Sequence, residues 1–306
     1  MSGQRVIGVD LGGTKIAAAV VDRSGGLDET RQFVRRPTPT GSQAELLEAL
    51  DDTIARVLGD DVAALGIGIP SRIDQRTGRA EGSVNIPLAD LEFRDRMAER
   101  FGLPVGIEND ANAASLAEWT LGAGRGTSDM VMLTLGTGVG GGLVLDGVPF
   151  RGWAELGHVV VLYDGPPCQG SCTGRGHLEA LTSGHAADAA AREVLGPGSD
   201  AHGLVERARE GDARAREALA EIGRRLGAGI GSLVNIFRPE LVVIGGGFGA
   251  AAFEFLLEPA REVIAREALE PVSELVRIEE AILGNEAGLV GAGLIGFRAL
   301  DAASPS

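Results

Sequence analysis

The chain reads as an α/β protein of two related domains, each a sheet covered by helices. Three observations predict this. Short apolar strands alternate along the chain with helix-length amphipathic stretches. The run from Val6 to Thr14 (VIGVDLGGT) is echoed from Met132 to Gly138 (MLTLGTG), each copy a strand that enters a glycine turn and leaves as a second strand. Finally, 306 residues with 44% hydrophobic and 23% charged content are enough for two cores of ordinary size.

The first hairpin pairs the strand starting at Val6 with an apolar strand from Ile16 to Asp22. A further strand is expected near Arg31 to Arg36, a helix from Ala44 to Leu58, a strand from Ala63 to Ile69 and a helix from Ala89 to Phe101. The strand Val105 to Glu108 then runs into Asn109-Asp110-Ala111-Asn112, and an Ala-rich helix continues towards Leu121. The second hairpin turns through residues 136–142, rich in glycine, into a strand from Gly141 to Asp146. Helices are expected over His185 to Val194 and Ala213 to Phe237, then the strand Leu241 to Ile244, a turn at Gly245 to Gly247, and a last helix from Ala287 to Leu300. A boundary near Glu118 gives a smaller N-terminal domain, 1–117, and a larger one, 118–286, that carries a Cys/His loop at 155–179. The final helix, within about 287–306, is expected to return to the first domain.

The formal charge of −15 argues against a nucleic-acid partner, because affinity for phosphate backbones rests on clustered Lys and Arg. There is no unbroken apolar run of about 18 residues and no signal-like leader, so a cytoplasmic protein without a membrane partner is expected. Lys15 is the only lysine in the chain.

Several local patterns carry chemistry. The turn Gly12-Gly13-Thr14-Lys15 after Asp10 offers close-approaching backbone amides, a hydroxyl and a cation, all suited to phosphate. It joins two strands and so differs from a Walker loop, which opens a helix. Gly136-Thr137-Gly138 is a second such turn and Gly245-Gly246-Gly247 a third; each is also compatible with tight packing alone. Asp110 sits where a strand gives way to a helix, a common ligand-binding position in α/β proteins. Its carboxylate can accept a hydroxyl proton or merely cap the helix. Glu155-Leu156-Gly157-His158 precedes Cys168, Cys172, His177 and Glu179, so both cysteines and two of the four histidines fall within about twenty residues. That clustering suits either a structural zinc or a metal-free loop.

Taken together these motifs resemble the ROK family of repressors, open reading frames and kinases, and within it the glucokinase-like sugar kinases. The residues that carry the resemblance are Asp10 to Lys15, Asn109 to Asn112, Leu135 to Gly138, Glu155 to His158, the Cys/His segment ending in Leu178-Glu179, and Asn235 to Gly247. The resemblance implies an actin-like ATPase fold, duplicated from an RNase-H-like unit, with an interdomain cleft. It implies an ATP-dependent hexose kinase that moves the γ-phosphate to a sugar hydroxyl, O6 of glucose foremost, with Asp110 as general base and Mg2+ accompanying ATP. Sugar contacts carry over to Asn85, Asn109, Asp110, Glu155, His158 and Glu179. The ATP cradle carries over to Asp10, Gly12, Gly13, Thr14, Lys15, Gly136, Thr137, Gly138, Gly245, Gly246 and Gly247.

The chain departs from the family pattern where a Cys-x-Cys becomes Cys168 and Cys172 and a third cysteine becomes His177, so a structural Zn2+ would be held by His158, Cys168, Cys172 and His177. It departs again at Pro70-Ser71, commonly Pro-Gly, and in lacking a tryptophan near Asn85-Ile86-Pro87. These changes bear on sugar choice more than on phosphoryl transfer. N-acetylmannosamine, mannose or fructose as acceptor, or polyphosphate as donor, remain open. Two readings outside enzymology are a silent sugar or nucleotide sensor, against which Asp110 argues, and a sugar-responsive repressor, which needs a helix-turn-helix that the ten residues before the first turn do not supply. A homodimer or homotetramer is expected.

Overall fold

The computed structural model describes residues 4–28, 33–271 and 275–303. It divides into two compact units: Met1–Leu121 with Arg151–Trp153 and Glu286–Ser306, and Gly122–Phe150 with Ala154–Asn285.

In the first unit β1 (Arg5–Leu11), β2 (Lys15–Val21), β3 (Val34–Pro37), β4 (Val62–Ile69) and β8 (Val105–Asn109) form one sheet in the order β3-β2-β1-β4-β8. β1, β2 and β3 pair antiparallel, whereas β1, β4 and β8 pair parallel. Alternation along β1 sorts its side chains. Ile7, Val9 and Leu11 join one core with α1 (Gln43–Ala55) through Leu46, Leu50 and Ile54, while Val6 faces the final helix, α9 (Ala287–Ala303), at Phe297 and Leu300.

Gly8, Gly66 and Gly106 lie in register across three strands on the α9 side. A Cβ at Gly8 or Gly66 would overlap the carbonyl of Leu289 or Ala292, and one at Gly106 would come within 2.7 Å of Ile295. The glycine row is therefore a trench that lets α9 lie directly on the sheet, and it brings Gly288 against the Asp10 carboxyl.

The predicted strand near Arg31 to Arg36 is β3; Arg31 and Gln32 lie outside the described residues, as do the last three of 287–306. The helix expected from Ala89 begins only at Phe93 (α2, Phe93–Phe101). Ala89–Leu91 is instead β7, the edge of a small sheet with β5 (Arg72–Asp74) and β6 (Arg79–Gly82). Asp90, at φ 50, breaks any helical start there.

The second unit repeats the arrangement. β9 (Met130–Leu135), β10 (Val139–Leu145), β11 (Val148–Pro149), β12 (Leu241–Gly245) and β13 (Arg277–Glu280) run in the order β11-β10-β9-β12-β13, with the same division into antiparallel and parallel pairs. The sequence echo is thus two copies of one sheet plan. The second glycine turn is shorter than expected: β10 begins at Val139, so Gly140 to Gly142 are strand residues. Packing accounts for one of them, since a Cβ at Gly141 would press to 2.6 Å on Leu156.

The helices α4 (Leu178–Thr182), α5 (Gly184–Leu195), α6 (Ala201–Arg209), α7 (Ala213–Phe237) and α8 (Gly247–Glu267) cover this sheet, and Leu226, Ile230, Leu256 and Ala260 enter its core. Among the described residues no helix is long and apolar enough to cross a membrane.

Candidate active site

In the first unit the parallel pairing decides where the chemistry gathers. β1, β4 and β8 end on the same edge, with Asp10, Gly68 and Glu108 in one row and Ile69 and Asn109 in the next. At about 4.8 Å between strands, the end of β1 and the end of β8 lie roughly 10 Å apart. The turn Gly12-Gly13-Thr14 leaves β1 at this edge, closed by a Gly12 N–H bond to the Lys15 carbonyl (2.8 Å) and held from β3's side by the Thr38 hydroxyl on the Gly12 carbonyl (2.7 Å). Burial pushes the Asp10 carboxyl above its ordinary range, and the charges of Lys15 and Arg35 pull it back.

Asp110 opens α3 (Asp110–Leu121) directly after β8. Asn109 caps this helix, its side-chain oxygen accepting the N–H groups of Ala111 (3.0 Å) and Asn112 (3.2 Å). Asp110 therefore need not act as the cap, although its Oδ1 also accepts the Ala111 N–H at 2.9 Å. Asn85, in the loop between β6 and β7, adjoins the first glycine turn: a Cβ at Gly13 would sit 3.4 Å from that of Asn85. Ser71 takes its place in the same region. Its hydroxyl donates to the Gly82 carbonyl (3.0 Å), while Ser83 bonds the Pro70 carbonyl, so the serine ties the end of β4 to the loop that carries Asn85.

One residue at this edge was passed over in the sequence. Glu108 Oε1 accepts from Gln75 Nε2 (2.8 Å), the Asn109 N–H (3.0 Å) and Asn112 Nδ2 (3.2 Å). It thus holds both sides of the residue pair 109–110. Burial raises its pKa, against these hydrogen bonds and the charges of Arg151 and Arg298. Its spacing of four from Asn112 was the available signal.

Because the folded state favours the protonated carboxyl, the ionised form costs stability above the folded pKa, and the cost vanishes below the ordinary glutamate range. Glu108→Gln, which keeps an acceptor, is therefore expected to match or exceed wild-type stability at neutral pH. Glu108→Ala strands three donors and is expected to lose about 1–3 kcal/mol. Urea unfolding of both variants at pH 7 checks the order.

In the second unit β9 and β12 pair parallel and end together, Gly245 opposite Thr134. Their turns lie back to back: Gly246, at φ +83, has no room for a Cβ against the Leu135 backbone at 2.5 Å. Gly246 also precedes α8 and has no side chain with which to cap it, so the first amides of a long helix are suited to an anionic ligand. The turn Gly136-Thr137-Gly138 is closed by a Gly136 N–H bond to the Gly138 carbonyl at 2.9 Å.

The Cys/His segment of this unit is a compact loop stitched by single bridges between Val160 and His177 and between Pro167 and Arg175. His158, Cys168, Cys172 and His177 each present one ligand atom, all within 4.8 Å of one another. His158 Nδ1 and His177 Nδ1 are 3.1 Å apart, Cys172 Sγ is 3.6 Å from His177 Nδ1, and both sulfurs are 3.8 Å from His158 Nδ1. Tetrahedral zinc bond lengths give edges of about 3.3 Å between nitrogens and about 3.6 Å between nitrogen and sulfur. The donor set and its spacing both fit that ion.

Burial pushes the Cys168 thiol up to about 12. Burial and the neighbouring His158 lower the pKa of His177, leaving a neutral imidazole suited to a metal. With His158 Nδ1 turned to the cluster, its Nε2 faces Glu155 Oε2 at 4.0 Å. Glu179 lies in the first turn of α4, which follows the loop, with Oε2 accepting the Val139 N–H at 2.9 Å and Oε1 3.6 Å from Cys168 Sγ.

Comparison with known proteins agrees with this architecture. Residues 6–297 match the ROK family. The glucokinase of Streptomyces coelicolor is 34% identical over 94% of this chain and 95% of its own length. The solved structure of a ROK family glucokinase from Streptomyces griseus in complex with glucose and AMPPNP superposes with a TM-score of 0.84 at 34% identity, covering 96% of this chain and 99% of that one. The ROK hexokinase of Thermus thermophilus is similar at TM-score 0.77 and 37% identity, covering 97% of this chain and 99% of that one. The fold is the actin-like ATPase fold of two domains.

Proposed function

This chain belongs to the ROK family, and we propose that it is an ATP-dependent, glucokinase-like hexose kinase that phosphorylates O6 of glucose with Asp110 as general base. The observation that carries the reading is the shared edge of β1, β4 and β8, where the first glycine turn and Asn109-Asp110 leave neighbouring parallel strands. Phosphoryl transfer asks the protein chiefly to position the reactants, stabilise charge and supply a base near the attacking hydroxyl. The glucose and AMPPNP bound by the Streptomyces griseus relative support both substrates.

In this reading the sugar hydroxyls are held by Asn85, Asn109, Asp110, Glu155, His158 and Glu179, a set rich in the donors and acceptors a polyol needs. Asp110 draws the proton from the attacking hydroxyl. The amides of Gly13, Thr14, Thr137 and Gly138, in turns that the Gly12 and Gly136 N–H groups close, and the α8 start at Gly245 to Gly247, hold the phosphates and nucleotide, with Lys15 adding charge. Mg2+ bound with ATP would neutralise the phosphoryl oxygens, and Asp10 is the carboxylate suited to it.

The four-residue Cys/His cluster would hold a structural Zn2+ that keeps the loop folded. His158 then divides its ring, Nδ1 to the cluster and Nε2 to a sugar hydroxyl beside Glu155. The protein is read as cytoplasmic. Assembly as a homodimer or homotetramer fits the exposed Val160, Leu162 and Tyr163 beside the cluster.

Sugar-phosphate formation tests the function, coupled to ADP release where Mg-ATP is the donor and read as the sugar phosphate itself where polyphosphate is, with glucose, mannose, fructose, N-acetylglucosamine and N-acetylmannosamine as acceptors. Turnover with ATP and highest kcat/KM for glucose is expected. A preference for another hexose corrects the substrate, and silence across the panel with folded, metal-loaded protein removes the kinase assignment.

A further inference from the structure

The second glycine turn does not hold its shape alone. Its two flanks are fixed by the segment that follows the Cys/His loop. The Gly136 carbonyl accepts the N–H of Gly184 at 2.7 Å, and the Val139 N–H donates to Glu179 Oε2 at 2.9 Å. Gly138 lies under that carboxylate so closely that a Cβ there would overlap Oε2. Glu179 is fixed in turn: its carbonyl accepts from Ser183 N–H (3.2 Å) and from Gln169 Nε2 (3.3 Å), and Gln169 belongs to the stretch between the two cysteines.

A carboxylate beside a turn expected to carry phosphates works against their charge. Its place there needs another explanation, and the Val139 bond supplies one. We propose that Glu179 is a positioning residue for the donor turn, bracing Gly136 to Val139 so that nucleotide affinity depends on the Cys/His loop as well as on the glycines. This rests on the reading of that turn as a phosphate site, and it adds to any contact Glu179 makes with sugar.

Nucleotide binding without sugar, measured by titration calorimetry with Mg-ADP, separates the roles. Glu179→Ala, shown to be folded by circular dichroism, is expected to bind ADP about tenfold more weakly, the effect of one charge-assisted hydrogen bond. Glu179→Gln keeps an acceptor and sheds the repulsive charge, so ADP affinity within about threefold of wild type, or tighter, is expected. Gly138→Ala displaces the carboxylate and is expected to mimic Glu179→Ala, with the double variant little worse than either.

Hydrogen exchange at the Val139 amide reads the brace directly: faster in Glu179→Ala and Gly138→Ala, protected in Glu179→Gln. Unchanged ADP affinity and Val139 exchange in folded Glu179→Ala would overturn the proposal and leave Glu179 a sugar ligand only. If wild type itself binds no ADP, the kinase reading fails. The exchange arm still decides whether the brace exists.

Discussion

Replacing Asp110 by Asn is expected to lower kcat by about 10²- to 10⁴-fold, the usual contribution of a positioned general base. Dissociation constants for sugar and nucleotide should stay within a few-fold of wild type. The local geometry makes this a clean substitution. Asn109 caps α3, so the helix does not depend on the Asp110 carboxylate. The bond that Asp110 Oδ1 accepts from Ala111 can be kept by an Asn oxygen. What the substitution removes is the basic oxygen, and a loss confined to the chemical step shows as lower kcat at unchanged affinity. Turnover within tenfold of wild type would move the base elsewhere.

Breaking the Cys/His cluster is expected to have the second large effect. Wild-type protein should carry about one zinc per chain by elemental analysis, and Cys172→Ala essentially none. The loop has little else to fold around: between Val159 and His177 it holds four glycines, its bridges are single pairs, and Leu162 and Tyr163 point to solvent. Structural zinc sites contribute folding free energy outright. Loss of the ion should therefore displace Glu155 and His158 and cut kcat/KM for sugar by about 100-fold, the upper end of the range for disturbing metal-site support. The melting temperature should fall with it. Full sugar turnover in metal-free wild type would show the loop folding unaided.

What the sequence made legible was whatever depends on local pattern. Hairpins across glycine turns, the strand-to-helix junction at Asp110 and the two-sheet echo follow from alternation and from turn residues that few other positions tolerate. Elements whose reasons are tertiary were harder to read. Ala89 to Leu91 has helix-compatible residues and becomes a strand because β6 offers it an edge. Gly8, Gly66 and Gly106 look like ordinary strand glycines until α9 lies on them. The strand expected from Gly141 begins two residues earlier, at Val139, so that the glycine run is strand almost from its middle. Glu108 gives no motif of its own, since its partners Gln75 and Asn112 come together only in the fold.

The most direct test of the account is the position of the new phosphate. Wild-type protein incubated with Mg-ATP and uniformly 13C-labelled glucose should give one product whose phosphorus couples to C6 in the NMR spectrum, with ADP formed in equal amount. Coupling to C1, or ADP released while the sugar stays unmodified, would contradict the proposed transfer to O6 with Asp110 as its base.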